Sequence, residues 1–98
     1  MVKKLVIRFL SIVQRALVHE SEQTRQVIIG YYKFIQGESS EEELYKTNLL
    51  LKNILKDLGF GFLVILPFSP ITIPMIAKLA QKYEVDIFPD WFKDTLKK

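Results

Sequence analysis

Residues 58–80 read LGFGFLVILPFSPITIPMIAKLA, and this apolar stretch decides the fold. Lys78 is the only ionisable residue between Phe60 and Ala80, and roughly 20 apolar residues are enough for a helix to cross a bilayer. Three prolines interrupt the stretch, at Pro67, Pro70 and Pro74. Because each proline removes a backbone donor and clashes with the preceding turn, one straight helix is not expected. Two interpretations follow: a proline-broken segment at the centre of a small helical domain, or a segment that lies in or on a membrane.

The composition predicts one domain with a real core, over residues 1–98. Hydrophobic residues make up 49% of the chain, charged residues 26%, and the mean hydropathy is +0.14. These values argue against both a disordered chain and a multi-span membrane protein. The chain has no cysteine, which excludes disulfides, a thiolate nucleophile and a cysteine metal site. A net charge of +3 suits an anionic lipid or RNA surface but is too small to indicate one.

Hydrophobic periodicity predicts an all-α fold, a small bundle of four to five helices with the proline-broken apolar segment at its centre. The expected helices span 2–19, 22–36, 40–66 and 74–84, followed by a short terminal helix from Pro89 or Asp90. In the third helix, an apolar arc is expected to pack against the first two helices; it includes Leu51, Ile54, Leu55 and Leu58.

Residues at the helix junctions indicate where the helices begin and end. Ser21 is a candidate N-cap, and Gly37 is suited to the left-handed conformation that closes the second helix. Ser40 and Glu43 have the spacing of a capping box. The acids of 41–43 complement the positive end of the third helix dipole, which explains them better than a metal or catalytic cluster does.

The first helix is amphipathic and basic. Its apolar side is formed by Val2, Leu5, Val6, Phe9, Leu10, Ile12, Val13, Ala16 and Leu17. Its other side carries Lys3, Lys4, Arg8 and Arg15, which form a candidate docking face for anionic lipid or RNA. The alternative interpretation is a bundle helix with a solvated face. A secretory signal is not expected, because Arg8 interrupts the apolar run and no cleavage site follows.

No residue pattern indicates catalysis. The chain has no Gly-rich phosphate loop, no nucleophile paired with a base and no pair of acids outside a helix cap. His19 is the only histidine and lies where the first helix ends, so we interpret it as structural. The sequence therefore predicts a protein that is not an enzyme, with no catalytic residue, metal site or cofactor, and without specific DNA binding.

Several short motifs carry a family resemblance. They are Lys33-Phe34-Ile35-Gln36-Gly37, the charged start at 41–43, Leu55-Lys56-Asp57-Leu58, Leu66-Pro67-Phe68, Ile73-Pro74, Lys78-Leu79 and Phe88-Pro89. In this order and spacing the chain resembles the LETM family, mitochondrial inner-membrane proteins with a ribosome-binding-like domain that also has bacterial relatives. The resemblance covers about residues 30–92, and its motif positions are Gly37, Pro67, Phe68, Pro74, Lys78 and Pro89.

The resemblance implies an all-helical protein associated with an inner or cytoplasmic membrane, or otherwise cytoplasmic. Family members are tied to cation and proton homeostasis, membrane morphology and association with ribosomes or membrane-protein biogenesis. This chain is much shorter, and Pro70 occupies the position of a family acid. Since a carboxylate in an apolar span is the natural cation or proton carrier, this departure weakens a transport role.

The predicted function is therefore that of a small docking or scaffold protein. The alternative is a membrane component of cation or proton homeostasis. The expected partners are a protein or the ribosome, and a membrane, either at its surface or through a single apolar insertion. The sequence does not indicate an oligomeric state.

Overall fold

The chain forms a bundle of α-helices, in a computed structural model that describes residues 2–60 and 72–96. The helices are α1 (Val2–Val18), α2 (Glu22–Ile35), α3 (Glu41–Leu55), α4 (Ile73–Lys82) and α5 (Asp90–Leu96). The predicted small all-α bundle is confirmed. Residues 61–71 lie outside the described residues. The expectations that concern Pro67, Phe68 and Pro70 therefore fall outside them as well.

The third helix ends earlier than the predicted range of 40–66. Regular α-helix stops at Leu55 and continues as a π-helical segment, Lys56–Phe60. Within that segment Gly59 has a φ of 89°, a left-handed conformation that interrupts the helical path and that glycine adopts without steric cost. The periodicity of leucines beyond Leu55 thus predicted more helix than Gly59 allows.

The predicted ends of α2 are confirmed. The Ser21 hydroxyl accepts a hydrogen bond from the Thr24 amide, and the Thr24 side chain accepts one from the Ser21 amide. Gly37 has a φ of 75° and donates its amide to Phe34, while the Glu38 amide donates to Lys33. This pair of bonds is the Schellman motif, which satisfies carbonyls that a helix end leaves unpaired.

The predicted capping box at the start of α3 forms only in half. The Ser40 hydroxyl accepts the Glu43 amide at 3.1 Å. The Glu43 carboxylate lies 3.6 Å from the Lys33 ammonium instead of bonding back to Ser40. The acid therefore links α3 to α2 across the junction rather than closing the cap.

The core lies where α1, α2, α3 and α4 meet. Its buried hydrophobic residues are Leu10, Val13, Ala16, Leu17, Val27, Ile28, Tyr31, Leu51, Ile54, Leu55, Ile73, Ile76, Ala80, Ile87 and Phe92. The expected burial of Leu51, Ile54 and Leu55 is confirmed. Leu58 was expected beside them but is 54% exposed, because it lies in the π-helical segment after the last regular turn of α3.

Three hydrogen bonds between residues distant in sequence connect the bundle. The Asn48 side-chain oxygen accepts the Ile73 amide at 2.7 Å, which satisfies a free donor in the first turn of α4. The Trp91 indole donates to the Leu17 carbonyl at 3.1 Å, and the Gln14 side-chain amide donates to the Asp86 carbonyl. The end of the chain is thereby attached to α1, and α4 begins at a position set by α3.

In residues 2–60 and 72–96, none of the helices combines the length and the apolar character needed to cross a bilayer.

Among the described helices, α2 and α3 share the most extensive contact. A Cβ atom at Gly30 would lie 2.3 Å from the Thr47 hydroxyl oxygen and 2.9 Å from the Thr47 Cβ. Thr47 is 7% exposed, and its hydroxyl donates to the Glu43 carbonyl at 2.9 Å. Steric overlap with Thr47 therefore requires glycine at position 30, although glycine is a poor helix former.

We predict that Gly30→Ala destabilises the protein by about 1–3 kcal/mol, because overpacking outweighs the better helix propensity of alanine. Chemical denaturation measures the change. The double variant Gly30→Ala/Thr47→Ala should lose less than the sum of the single variants, because removing the hydroxyl and methyl relieves most of the overlap.

Gly37→Ala is the control for this cycle. Its cost should come from the positive φ, since no atom of the described residues, apart from the chain neighbours, lies within 4 Å of a Cβ there. The cost should add to that of Thr47→Ala without coupling. A Gly30→Ala variant more stable than the parent chain would contradict the close approach of α2 and α3.

Candidate docking surface and adjoining groove

Three of the four predicted docking residues share one face of α1. Arg8 follows Lys4 by four residues and Arg15 follows Arg8 by seven, so at 100° per residue they fall within about 40° of each other. All three are exposed, and they point away from the buried side that carries Leu10 and Leu17. We call Lys4, Arg8 and Arg15 the basic face.

Lys3 is separated from the basic face. It is exposed, but it is adjacent in sequence to Lys4 and therefore lies about 100° away around the helix, on the flank next to Leu10. Three of the four cations therefore share one face, and docking through these residues stays a prediction. A shift of one residue along the helix, from Lys4 to Lys3, is enough to move a side chain off the basic face.

No residue of the basic face forms an ion pair within the described part of the chain, although Arg15 lines a cleft that also contains Asp86 and Asp90. Val2–Val18 contains no acidic residue. The ion pairs among residues 2–60 and 72–96 involve other cations: Arg25–Glu20, Lys33–Glu43, Lys46–Glu42 and Lys93–Asp86. The basic face therefore presents positive charge to the surroundings.

Exposed aliphatic side chains flank the basic face on both sides. Ile7 and Val18 lie on one flank and are 37% and 61% exposed, and Leu5 lies on the other and is 65% exposed. Leu5 was expected on the core side, but the buried stripe of α1 is narrower than the apolar arc of the sequence and excludes it. The outer surface of α1 is therefore both cationic and partly apolar.

Three of the family-motif positions begin or end helices. Gly37 closes α2, as described above. Pro74 lies in the first turn of α4, where its missing amide costs nothing. Pro89 is buried, and its carbonyl accepts the amides of Phe92 and Lys93 at the start of α5. These positions have clear structural roles.

Lys78 is the remaining motif position in the described residues, and the only one with an ionisable side chain. It is exposed on α4 and lines a groove of about 600 Å³ between α2 and α4. The α2 side of the groove contributes Tyr31, Phe34 and Ile35, and Phe88 contributes from the connector between α4 and α5. The groove is therefore mostly apolar with a cation at its edge.

Tyr31 places a hydroxyl in this groove. Its ring is buried, with the side chain 4% exposed and the Phe88 ring at 5.1 Å in an edge-to-face arrangement. The hydroxyl has no hydrogen-bond partner in the described residues. Every fully buried polar side-chain atom in those residues does have a partner, so the Tyr31 hydroxyl is not fully buried. The hydroxyl is therefore reached by solvent, and the groove that Tyr31 lines provides the access.

Burial, together with the smaller effect of the negative charge of Asp86, raises the pKa of Tyr31 to about 12. The Asp86 carboxylate is itself engaged, since it pairs with the Lys93 ammonium and accepts the Phe88 amide at 3.0 Å. At neutral pH the groove therefore holds a protonated hydroxyl and an ammonium with no partner in the described residues.

The sequence did not predict the groove. Its walls come from three separate segments, in 31–35, 74–81 and 85–88, and no local pattern brings them together. One signal was present, because Lys78 is the only ionisable residue in the apolar stretch. A single lysine among apolar residues indicates the edge of an apolar surface. The sequence does not show that this surface is concave.

The described residues contain no group of three or more acids or histidines placed to hold a metal ion. His19 is exposed, and its backbone carbonyl accepts the Thr24 hydroxyl at 2.8 Å. The acids of 41–43 are exposed in the first turn of α3.

We predict that one of the four tyrosines ionises near pH 12 in an ultraviolet titration of the folded protein, and that Tyr31→Phe removes this step. Tyr45→Phe is the control: Tyr45 is 65% exposed, and its loss should leave the step near pH 12 in place. Disappearance of that step in Tyr45→Phe alone would contradict the environment assigned to Tyr31.

The same shift predicts how stability depends on pH. The pKa of Tyr31 is higher in the folded chain than the ordinary value of 10.0. The contribution of Tyr31 to the free energy of unfolding is therefore fully present below pH 10 and declines between about pH 10 and 12. In Tyr31→Phe, the free energy of unfolding, measured by chemical denaturation at several pH values, should not show this decline.

Comparison with known proteins gives no relative: no family model, curated protein or solved structure matches the chain.

Proposed function

We propose that this protein is a non-enzymatic docking protein that binds the surface of an anionic membrane through α1. The observation that carries the proposal is the alignment of Lys4, Arg8 and Arg15 on one outer face without an ion pair in the described residues. The exposed aliphatic flanks of Leu5, Ile7 and Val18 support it.

A helix of this kind lies in the plane of the membrane interface. Basic residues near an anionic leaflet each contribute about 1 kcal/mol, and apolar side chains enter the boundary of the acyl chains to a depth of about 5–10 Å. Because Leu10, Val13 and Leu17 are buried in the core, α1 would bind as part of the folded bundle. Only its outer surface would contact lipid.

The side chains around the basic face favour lipid over RNA. Single-stranded RNA binding relies on aromatic side chains on which bases stack. The large exposed hydrophobics of α1 are the aliphatic residues Leu5, Ile7 and Val18, and its aromatic residue, Phe9, is partly buried against the core. Aliphatic groups next to unpaired cations are typical of an interfacial membrane helix.

The resemblance to the LETM family supplies the finer part of the proposal. It would place the protein at an inner or cytoplasmic membrane, as a scaffold that recruits the ribosome or a membrane-protein biogenesis partner. The support for this part is the set of motif positions, of which Gly37, Pro74, Lys78 and Pro89 are described. The alternative, a membrane component of cation or proton homeostasis, requires an ion-binding group at depth. The segment that would have to supply it, 61–71, lies outside the described residues.

We predict binding to vesicles that contain about one-third phosphatidylglycerol, measured by cosedimentation, and much weaker binding to pure phosphatidylcholine. Binding should fall steeply with added salt, because ions screen exposed charges. Arg8→Glu/Arg15→Glu should weaken it by at least about tenfold, given about 1 kcal/mol for each basic residue.

Lys56→Glu/Lys82→Glu is the matched control, since both lysines are exposed on other elements and the net charge changes equally. It should retain most of the binding. An equal loss in the two variants, or equal binding to neutral and anionic vesicles at all salt concentrations, would contradict the basic face. Binding of an RNA oligonucleotide without binding to vesicles would contradict the choice of lipid.

A further inference from the structure

We propose that the groove between α2 and α4 binds an aliphatic carboxylate, such as a fatty acid, with the head group at Lys78 and Tyr31 and the chain along the apolar wall. This site is separate from the basic face of α1, none of whose residues lines the groove. The proposal therefore does not depend on the docking role of α1.

The size and lining of the groove fit a small amphipathic ligand. Its volume of about 600 Å³ lies within the roughly 300–1,000 Å³ of typical ligand pockets. Phe34, Ile35 and Phe88 form much of the apolar wall, and Ile35 is 50% exposed with no neighbour to cover it in the described residues. A bound alkyl chain would remove this surface from water.

The unengaged polar groups of the groove include two donors, which identify the head group; the Gln81 amide also lines the groove and can both donate and accept. The Lys78 ammonium forms no ion pair in the described residues. The Tyr31 hydroxyl has no hydrogen-bond partner there, although Tyr31 is only 4% exposed. Asp86 also lines the groove, but its carboxylate is neutralised by Lys93 and held by the Phe88 amide. A cation and a neutral donor next to an occupied acid are complementary to an anion.

The apolar wall favours an alkyl chain over a peptide with a free C-terminus. A peptide would bring backbone N–H and C=O groups against Phe34, Ile35 and Phe88, whose side chains have no polar atom to pair with them. Burying such groups without partners is costly. An alkyl chain has no polar group beyond its head, and the two donors account for that head.

Isothermal titration calorimetry with dodecanoate below its micelle concentration tests the proposal. We expect saturable binding with one ligand per chain, at least about tenfold tighter than for dodecanol or dodecyltrimethylammonium. A peptide ending in two leucines should bind more weakly than dodecanoate. Equal affinity for dodecanoate and dodecanol, or tighter binding of the peptide, would overturn the assignment.

Two lysine variants provide the matched comparison. Lys78→Gln should weaken dodecanoate at least about tenfold, whereas Lys82→Gln, one turn further along α4 and outside the groove lining, should not. Both lysines are exposed, so both variants should fold, which circular dichroism checks. Tyr31→Phe should weaken binding severalfold. An equal loss in the two lysine variants would overturn the site.

Arg8→Glu/Arg15→Glu separates this site from the docking surface. That variant should keep its dodecanoate affinity even where vesicle binding is lost. If it loses dodecanoate binding and Lys78→Gln retains it, the ligand is captured by α1 and the groove proposal fails. If vesicle binding by α1 fails while the Lys78 dependence holds, the groove stands alone.

Discussion

The packing of α2 against α3 depends on the absence of a single side chain at Gly30. The Thr47 side chain occupies the volume into which a Cβ would project, so the two helix backbones come closer than ordinary side chains permit. Thr47 can enter this contact because its hydroxyl is satisfied by the Glu43 carbonyl of its own helix. The remaining elements are assembled on this pair, since α1 and α4 each contact both helices.

The packing of α2 against α3 also positions the two surfaces for which a function is proposed, the groove and the basic face. Asn48 on α3 holds the first amide of α4, so the wall of the groove that carries Lys78 has a defined position in the bundle. On the buried side of α1, Leu10, Val13 and Leu17 pack into the core. The rotation of α1 is thereby set, and with it the outward direction of the basic face.

Local chemistry was predictable from the sequence, while packing was not. Ser21, Gly37 and Pro74 act through neighbours within a few residues, so their types and spacing predict their roles. The errors lie where a sequence pattern continues beyond the element that it predicts: Leu58 keeps the helical period, although regular α-helix has already ended at Leu55. Leu5 shares the apolar arc of α1 but not the narrower stripe that its neighbours cover.

Neither the shape of the groove nor the Gly30 contact could be predicted from local sequence patterns, for the same physical reason. Each depends on residues from helices that are distant in sequence, and only the assembled bundle shows which surfaces meet. The basic face is intermediate between these cases. Periodicity placed four cations on one side, and the orientation of α1 on the core then showed that Lys4, Arg8 and Arg15 share a face while Lys3 does not.

The most direct test of the account is the depth of α1 in a membrane. Because the chain has no cysteine, a single nitroxide label can be introduced at Ile7, beside the basic face, or at Gln26, exposed on α2. Electron paramagnetic resonance on anionic vesicles then compares collisions of each label with oxygen and with a water-soluble nickel complex. The account predicts that the label at position 7 becomes shielded from nickel and accessible to oxygen, while the label at position 26 stays in water. Equal exposure of both labels to nickel on the bound protein would contradict it.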